Sequence, residues 1–265
     1  RGNGALRKLG AVPEGVLRES LAQPAGRVDQ VLWAMLDEEW VPAPAPVAYR
    51  VEQPPLRPAA PDRLPPRPAA APPAWCVRVP ALESAKCLVR EIEPGDVDDL
   101  RAILSEPEVR RYASPAPPTA DAFRRVVAWS RDQRARGRYA CFAIVPASHG
   151  RAAGLIQLRA LEPSFKAGEW GFALGRQFWS TGTFHAAARL VLDFAFGNIG
   201  AHRLEARAVV ANQAAIRALL RLGAVFEGTL RRSFLIGGQY YDDALYALLA
   251  QDWRRQAALR DRDIA

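Results

Sequence analysis

The chain of 265 residues is poor in several residue types at once, with three cysteines, three histidines, three lysines and a single methionine. Cys76, Cys87 and Cys141 are odd in number and lack metal-ligand spacing, and the histidines are too few to complete such a site. A disulfide framework and a zinc module are thereby excluded, and a reduced, metal-free, cytoplasmic protein is expected. No apolar run approaches the length of a bilayer span and no signal peptide opens the chain, so no membrane partner is expected. The scarcity of lysine leaves 33 of the 36 basic residues as arginine, spread along the whole chain. A net charge of +8 without a basic block interleaved with aromatics argues against nucleic acid as a partner and disfavours polycationic substrates.

What is present is a repeated phrase. Residues 9 to 15 read LGAVPEG and residues 222 to 228 read LGAVFEG. Extending the match without a gap pairs Ala5 to Trp40 with Ala218 to Trp253, and 16 of the 36 aligned positions are identical. A single spacing this long is not a solenoid and reads as one domain ending written twice. The second copy follows about 130 residues able to build the rest of a domain, whereas almost nothing precedes the first. Residues 1–40 are therefore expected to be the C-terminal remnant of a first domain in a longer tandem protein, docked on the main domain or on another chain, because the hairpin would otherwise expose an apolar edge.

Between Val41 and Pro80 lie 13 of the 22 prolines, in runs such as PAPAPV and PPRPAAAPP. Residues 41–85 are expected to form an extended Pro/Ala-rich linker. Residues 86–256 then form one complete domain large enough to bury a core, and 257–265 a polar tail.

Within that domain the periodicity predicts a strand over Cys87–Ile92 and a helix over Asp96–Leu104. Thr119 should cap the next helix, which carries Phe123, Val126 and Val127 on one face. YACFAIV (139–145) and AAGLIQLR (152–159) should pair as central antiparallel strands across PASHGR. EWGFAL (169–174) is a further strand, feeding through GRQFWSTG into a helix from Gly182. A strand over Arg203–Val209, a helix over Asn212–Leu222 and a closing hairpin over Ala224–Ile236 and Tyr240–Leu249 complete an α/β (α+β) order. Gly223 suits a left-handed helix end, which explains LGA in both copies. The turn with Ser180, Thr181 and Gly182 leaves free N–H groups at a helix start, a geometry that attracts phosphate; a plain strand-to-helix connection is the alternative.

EWGFALGRQFWSTGTFHAAA, followed by HRLEARAVVANQAAIRALLRLGAVFEG and the hairpin through Asp242, resembles the GNAT acetyltransferases, in the branch that acetylates ribosomal-protein N-termini. The resemblance spans about Lys86 to Trp253, and residues 5–40 resemble the same ending. It implies a mixed, mostly antiparallel sheet with helices on both faces and a splayed central strand pair. It further implies acetyl-CoA as co-substrate and a primary amine as acceptor, either a peptide N-terminus or a small molecule; a degenerate module that binds without turnover is the remaining alternative. The cofactor would lie where Glu169–Leu174 diverges from Arg203–Val209. Its pantetheine arm would meet backbone groups of Phe172, Ala173 and Leu174, and its pyrophosphate the amides of Trp179, Ser180, Thr181, Gly182, Thr183, Phe184 and His185. Asn212 would touch the arm or the acceptor, cap its helix, or both. Glu169 and Glu205 are the candidate bases, Glu205 having an ion pair with Arg203 or Arg207 as its alternative.

Three features depart from the family pattern: Phe184 stands where small residues are usual, Thr181 replaces a favourable charge, and Leu220 occupies the place of a thiolate-protonating tyrosine, for which Tyr240 and Tyr241 are possible substitutes. Glu227, Gly228, Arg231 and Asp242 recur between the copies and are expected to serve architecture, Gly228 at a bulge or turn and Arg231 against Asp242. Acceptor choice should depend on the loop from Pro115 to Thr119 and on the closing hairpin.

Overall fold

The computed structural model describes residues 2–39, 72–113 and 116–262. Most of the expected linker, Trp40 and Pro115 lie outside these residues. The N-terminal part contains α1 (Gly2–Lys8), β1 (Val12–Gln23) and β2 (Gly26–Ala34). The chain resumes with α2 (Ala74–Val77), β3 (Leu82–Glu83), β4 (Cys87–Glu91), α3 (Val97–Leu104), α4 (Pro107–Arg110), α5 (Ala120–Ala135), β5 (Tyr139–Pro146), β6 (Gly154–Ala160) and β7 (Ala167–Leu174). It ends with α6 (Thr183–Phe194), β8 (Arg203–Val209), α7 (Gln213–Arg221), β9 (Val225–Ile236), β10 (Gln239–Leu249) and α8 (Ala250–Arg262). Ten strands form one sheet in the order β2-β1-β9-β10-β8-β7-β6-β5-β4-β3, and only β7 and β8 run parallel. Among the described residues no helix is long and apolar enough to cross a membrane.

Alternation along the central strands divides the core into two layers. Ala140, Phe142 and Ile144 of β5 face one cluster with Ala187, Ala188, Val191 and Leu192 of α6, whereas Tyr139, Cys141 and Ala143 face a smaller cluster with α3 and α5. Every residue of β5 is buried, as expected for a strand covered on both faces. Thr119 caps α5 by accepting the amide of Ala122 at 3.1 Å, and Gly223 takes φ +83° after α7.

The end of the expected linker is packed rather than extended. Trp75 and Cys76 are buried, Trp75 meets Phe165 edge to face at 5.8 Å between ring centroids, and β3 pairs with β4. At the other end α8 runs through most of the expected polar tail, and buried Trp253 donates its indole N–H to Asp193 at 2.7 Å.

The hairpin β1–β2 lies along the outer edge of β9 with Gly15 opposite Gly228. A Cβ on Gly15 would meet the carbonyl oxygen of Glu227, and one on Gly228 that of Glu14. Gly228 thus permits close strand approach, and as expected it sits at a bulge, where β9 steps from Phe226 to Gly228 against Tyr246 and Leu245; a second irregularity in β9 carries the left-handed Arg232, with φ +48°. The flanking ion pairs are reciprocal. Arg18 donates to Glu227 at 2.8 Å and to Asp252 at 3.1 Å, while Arg231 donates to Glu14 at 2.7 Å and also pairs with Glu39. The expected Arg231–Asp242 pair is not formed: Asp242 accepts the backbone N–H of Arg232, and Arg231 crosses to the N-terminal hairpin.

Candidate functional site

The parallel pairing of β7 and β8 joins Ala167 to Arg203, Gly168 to Leu204 and Glu169 to Glu205, and stops there. Beyond it, β7 remains paired to β6 as far as Leu174 and β8 to β10 as far as Val209. Each strand is held from its outer side, so the inner edges of residues 170–174 and 206–209 diverge with their backbone groups unclaimed by one another. Sequence reading placed the divergence between these strands, and the structure opens it one residue past Glu169.

The connection from β7 to α6 is set by side chains that bond the backbone. Trp179 donates its indole N–H to the carbonyl of Leu174 at 2.7 Å, which ties the loop to the strand and occupies that carbonyl. Thr181 donates to the carbonyl of Phe178 at 2.7 Å, and its oxygen accepts the amide of Thr183 at 3.3 Å. Ser180 and Gly182 adopt φ of +62° and +84°. Those two left-handed residues turn the chain into the first turn of α6, where helix N–H groups lack intrahelical acceptors and that of Thr183 is taken by Thr181. The three atoms nearest to a Cβ at Gly182 all belong to the side chain of Lys86, whose ammonium bonds the carbonyl of Thr181 at 2.9 Å. Lys86 is a cation beside an anion-attracting loop; its one sequence signal was to be one of three lysines in an arginine-rich chain. Phe184 is half-buried, its ring 4.2 Å from that of Phe172 and packed on the core, so its bulk is absorbed away from Gly182. His185 follows in the first turn of α6 and is also half-buried.

Glu169 and Glu205 share a register position and hence a face, yet their surroundings differ. Glu205 is buried, and one of its oxygens accepts twice from Arg203, at 3.0 and 3.2 Å. Arg203 is fully buried and also holds Glu227 at 2.6 Å. The structure therefore gives Glu205 the ion pair with Arg203, leaving Arg207 exposed. Glu169 is half-buried and pairs with the guanidinium of exposed Arg159. Asp243, on the same face of β10, was missed in the sequence as one of several acids in the hairpin. It is buried, receives the Ser233 hydroxyl at 3.0 Å, and burial raises its pKa above the ordinary carboxylate range.

Asn212 caps α7, accepting the amide of Ala215 at 3.2 Å. Leu220 is about half exposed, Tyr240 is exposed, and Tyr241 donates its phenol to Gln239 while packing edge-on against Tyr112. Trp170, the first residue past the paired section, has a buried indole N–H with no partner among the described residues. An orphaned donor of this kind costs about 1–3 kcal/mol, and it lies on the arm of the divergence where a polar ligand would be held. The thiols offer no nucleophile: all three cysteines are buried, and burial pushes Cys141 up to about 12. Among the described residues no group of three or more His, Cys, Asp or Glu could hold a metal ion.

The arrangement can seat an extended polar arm between two strands and an anion at a helix start, with carboxylates on the opposite side. Comparison with known proteins finds the same architecture. A family model described as Acetyltransferase (GNAT) domain matches residues 86–225. A protein of Bacillus licheniformis described as uncharacterized N-acetyltransferase p20 is 25% identical over 173 residues, covering 65% of this chain and 97% of that protein. Spermidine N(1)-acetyltransferase of Escherichia coli (strain K12) is 29% identical over 91 residues, covering 34% of this chain and 49% of that protein. A solved structure of RimL, a ribosomal L7/L12 alpha-N-protein acetyltransferase in complex with coenzyme A, superposes with a TM-score of 0.59 at 18% identity, covering 65% of this chain and 99% of that one.

Proposed function

The chain belongs to the GNAT acetyltransferase family and is an acetyl-CoA-dependent N-acetyltransferase, and from that premise we propose that it acetylates the α-amine of a peptide, with Glu169 as the base. The observation that carries this reading is the divergence of β7 and β8 immediately after Glu169. Acetyl-CoA supplies an acetyl group activated as a thioester. In our reading Phe172 and Ala173 present backbone groups to the pantetheine arm, and the indole N–H of Trp170 gains there the acceptor it otherwise lacks. Ser180, Thr181, Gly182, Thr183, Phe184 and His185 form the pyrophosphate seat, with the Lys86 ammonium beside it. Trp179 supports this seat through the bond that ties the loop to β7, and Asn212, which starts α7 at the end of β8, meets the cofactor arm or the acceptor.

Glu169 takes the proton from the acceptor ammonium, directly or through water, because it is the carboxylate at the apex that is not committed to a buried arginine. Glu205 positions Arg203. With an exposed leucine at 220, the departing thiolate draws its proton from solvent.

The reading is tested by calorimetry with acetyl-CoA and by release of free thiol on a panel of peptides and small amines. Glu169→Gln should lower turnover by about 10²- to 10⁴-fold and leave acetyl-CoA affinity intact, and Trp170→Phe should weaken acetyl-CoA several-fold without loss of thermal stability. Full turnover in Glu169→Gln would exclude it as the base, and release with polyamines but with no peptide would exclude the peptide acceptor.

A further inference from the structure

The sheet face that carries Glu169 continues past β8 onto the N-terminal hairpin. Glu205 and Arg207 alternate on this face, and register aligns Arg207, Leu245, Gly228, Gly15 and Leu32 in one row across β8, β10, β9, β1 and β2. The two glycines leave the middle of that row without side chains. A cavity of about 340 Å³ lies beside it, bounded by Glu205 and Arg207 on one side, Leu230 and Leu245 in the middle, and Leu17 and Leu32 of the hairpin on the other. The opposite face of β8 is filled by the α6 layer of the core, so an acceptor reaches Glu169 from the cavity side.

We propose that this cavity is the subsite for the body of the acceptor peptide and that residues 12–34 supply its outer wall. The inference rests on the transferase reading above and adds to it the length and character of the peptide. Neighbouring strands are about 4.8 Å apart, so the wall on β8 is one strand step from Glu169 and the middle of the cavity two to three. An extended chain advancing about 3.3 Å per residue enters the cavity at its second residue and fills it with its third to fifth. Four leucines line it, which favours apolar side chains there. The carboxylates on its rim are already held, Glu14 by Arg231 at 2.7 Å and Glu205 by Arg203 at 3.0 Å. Exposed Arg207 forms no salt bridge among the described residues and offers donors to peptide carbonyls. A polyamine would meet arginines and committed acids, whereas a peptide finds leucines and an exposed guanidinium whose charged neighbour is Asp243.

The test compares binding of Ser-Ala amide and of Ser-Ala-Leu-Leu-Ala amide to the full chain loaded with coenzyme A, by calorimetry. The longer peptide should bind about tenfold tighter or more, the gain expected for burying one leucine side chain. Leu17→Ala and Leu32→Ala should each remove most of that gain and leave the short peptide and coenzyme A unaffected. Val31→Ala, on the other face of β2, should bind as the parent does. Equal affinity for the two peptides, absence of binding by either, or a gain that survives both leucine substitutions would overturn the proposal. Thiol release is read separately: a length-dependent gain with no turnover leaves the subsite standing and removes the transferase reading.

Discussion

The hairpins Val12–Ala34 and Val225–Leu249 start from nearly the same words and end in different company. Both bend at a left-handed residue 213 positions apart, Glu19 with φ +49° and Arg232 with φ +48°, and in both the amide of that residue bonds an aspartate on the facing strand, Asp29 or Asp242, at 2.8 Å. Yet β10 is buried without a break from Asp243 to Leu249, whereas Val12, Val16, Leu21, Val28 and Val31 of the first hairpin are exposed. The cause is what stands beside them. β10 lies between β8 and β9 under helices, whereas β2 is the outermost strand of the sheet. Hydrophobic patterning and turn chemistry specify the hairpin, and its neighbours specify whether it becomes core.

The largest expected break in this likeness is at Arg203, which on β8 serves Glu205 and, in the second copy, Glu227, and which has no counterpart serving Glu14. Arg203→Ala should lower unfolding free energy by about 3–5 kcal/mol in a denaturant titration, since it strands the buried Glu205 and leaves the buried Glu227 with Arg18 alone. Next come the paired glycines. Gly15→Ala and Gly228→Ala each drive a Cβ into the opposite strand's backbone and should loosen the hairpin by about 1–3 kcal/mol, to similar extents, seen as faster proteolysis within residues 12–34; a large effect at one site only would show that the contact is not reciprocal. A smaller effect is expected at the flanking ion pairs, where a double-mutant cycle on Arg18 and Glu227 should give a coupling of about 1 kcal/mol, and another on Arg231 and Glu14 a coupling of the same sign.

The smallest effect is on pH. The Arg231 guanidinium holds Glu39 down to about 2, from an unfolded value of 4.5. A depressed carboxylate contributes stability that is present above the unfolded value and lost as pH falls through the folded one. Hairpin docking should therefore hold at pH 5 and weaken progressively between 4.5 and 2, and Glu39→Gln should abolish that dependence in proteolysis profiles.

Legibility followed the range of the interaction. Thr119, Gly223 and Asn212 were readable because a cap bonds a residue three or four positions away, and the strands because alternation is local. Lys86 was not, since the loop it serves lies 95 residues downstream. Nor was Asp243, whose raised pKa comes from burial by strands remote in sequence. Trp75 could be read as docked on a neighbour or as a partly exposed linker residue, because its partner Phe165 lies 90 positions on, and Arg231 was matched to the nearest facing acid because nothing local announces Glu14 or Glu39.

From residues alone came the elements, their caps, the repeated ending and the resemblance to a transferase, for these are written in short-range periodicity and turn residues. Folding in three dimensions settled which of two equivalent glutamates is bound to a buried arginine and which to an exposed one, which edge the first hairpin covers and what space that leaves beside Glu169. Those outcomes depend on strand order, and strand order joins positions up to 213 residues apart, where no local pattern in the sequence can reach.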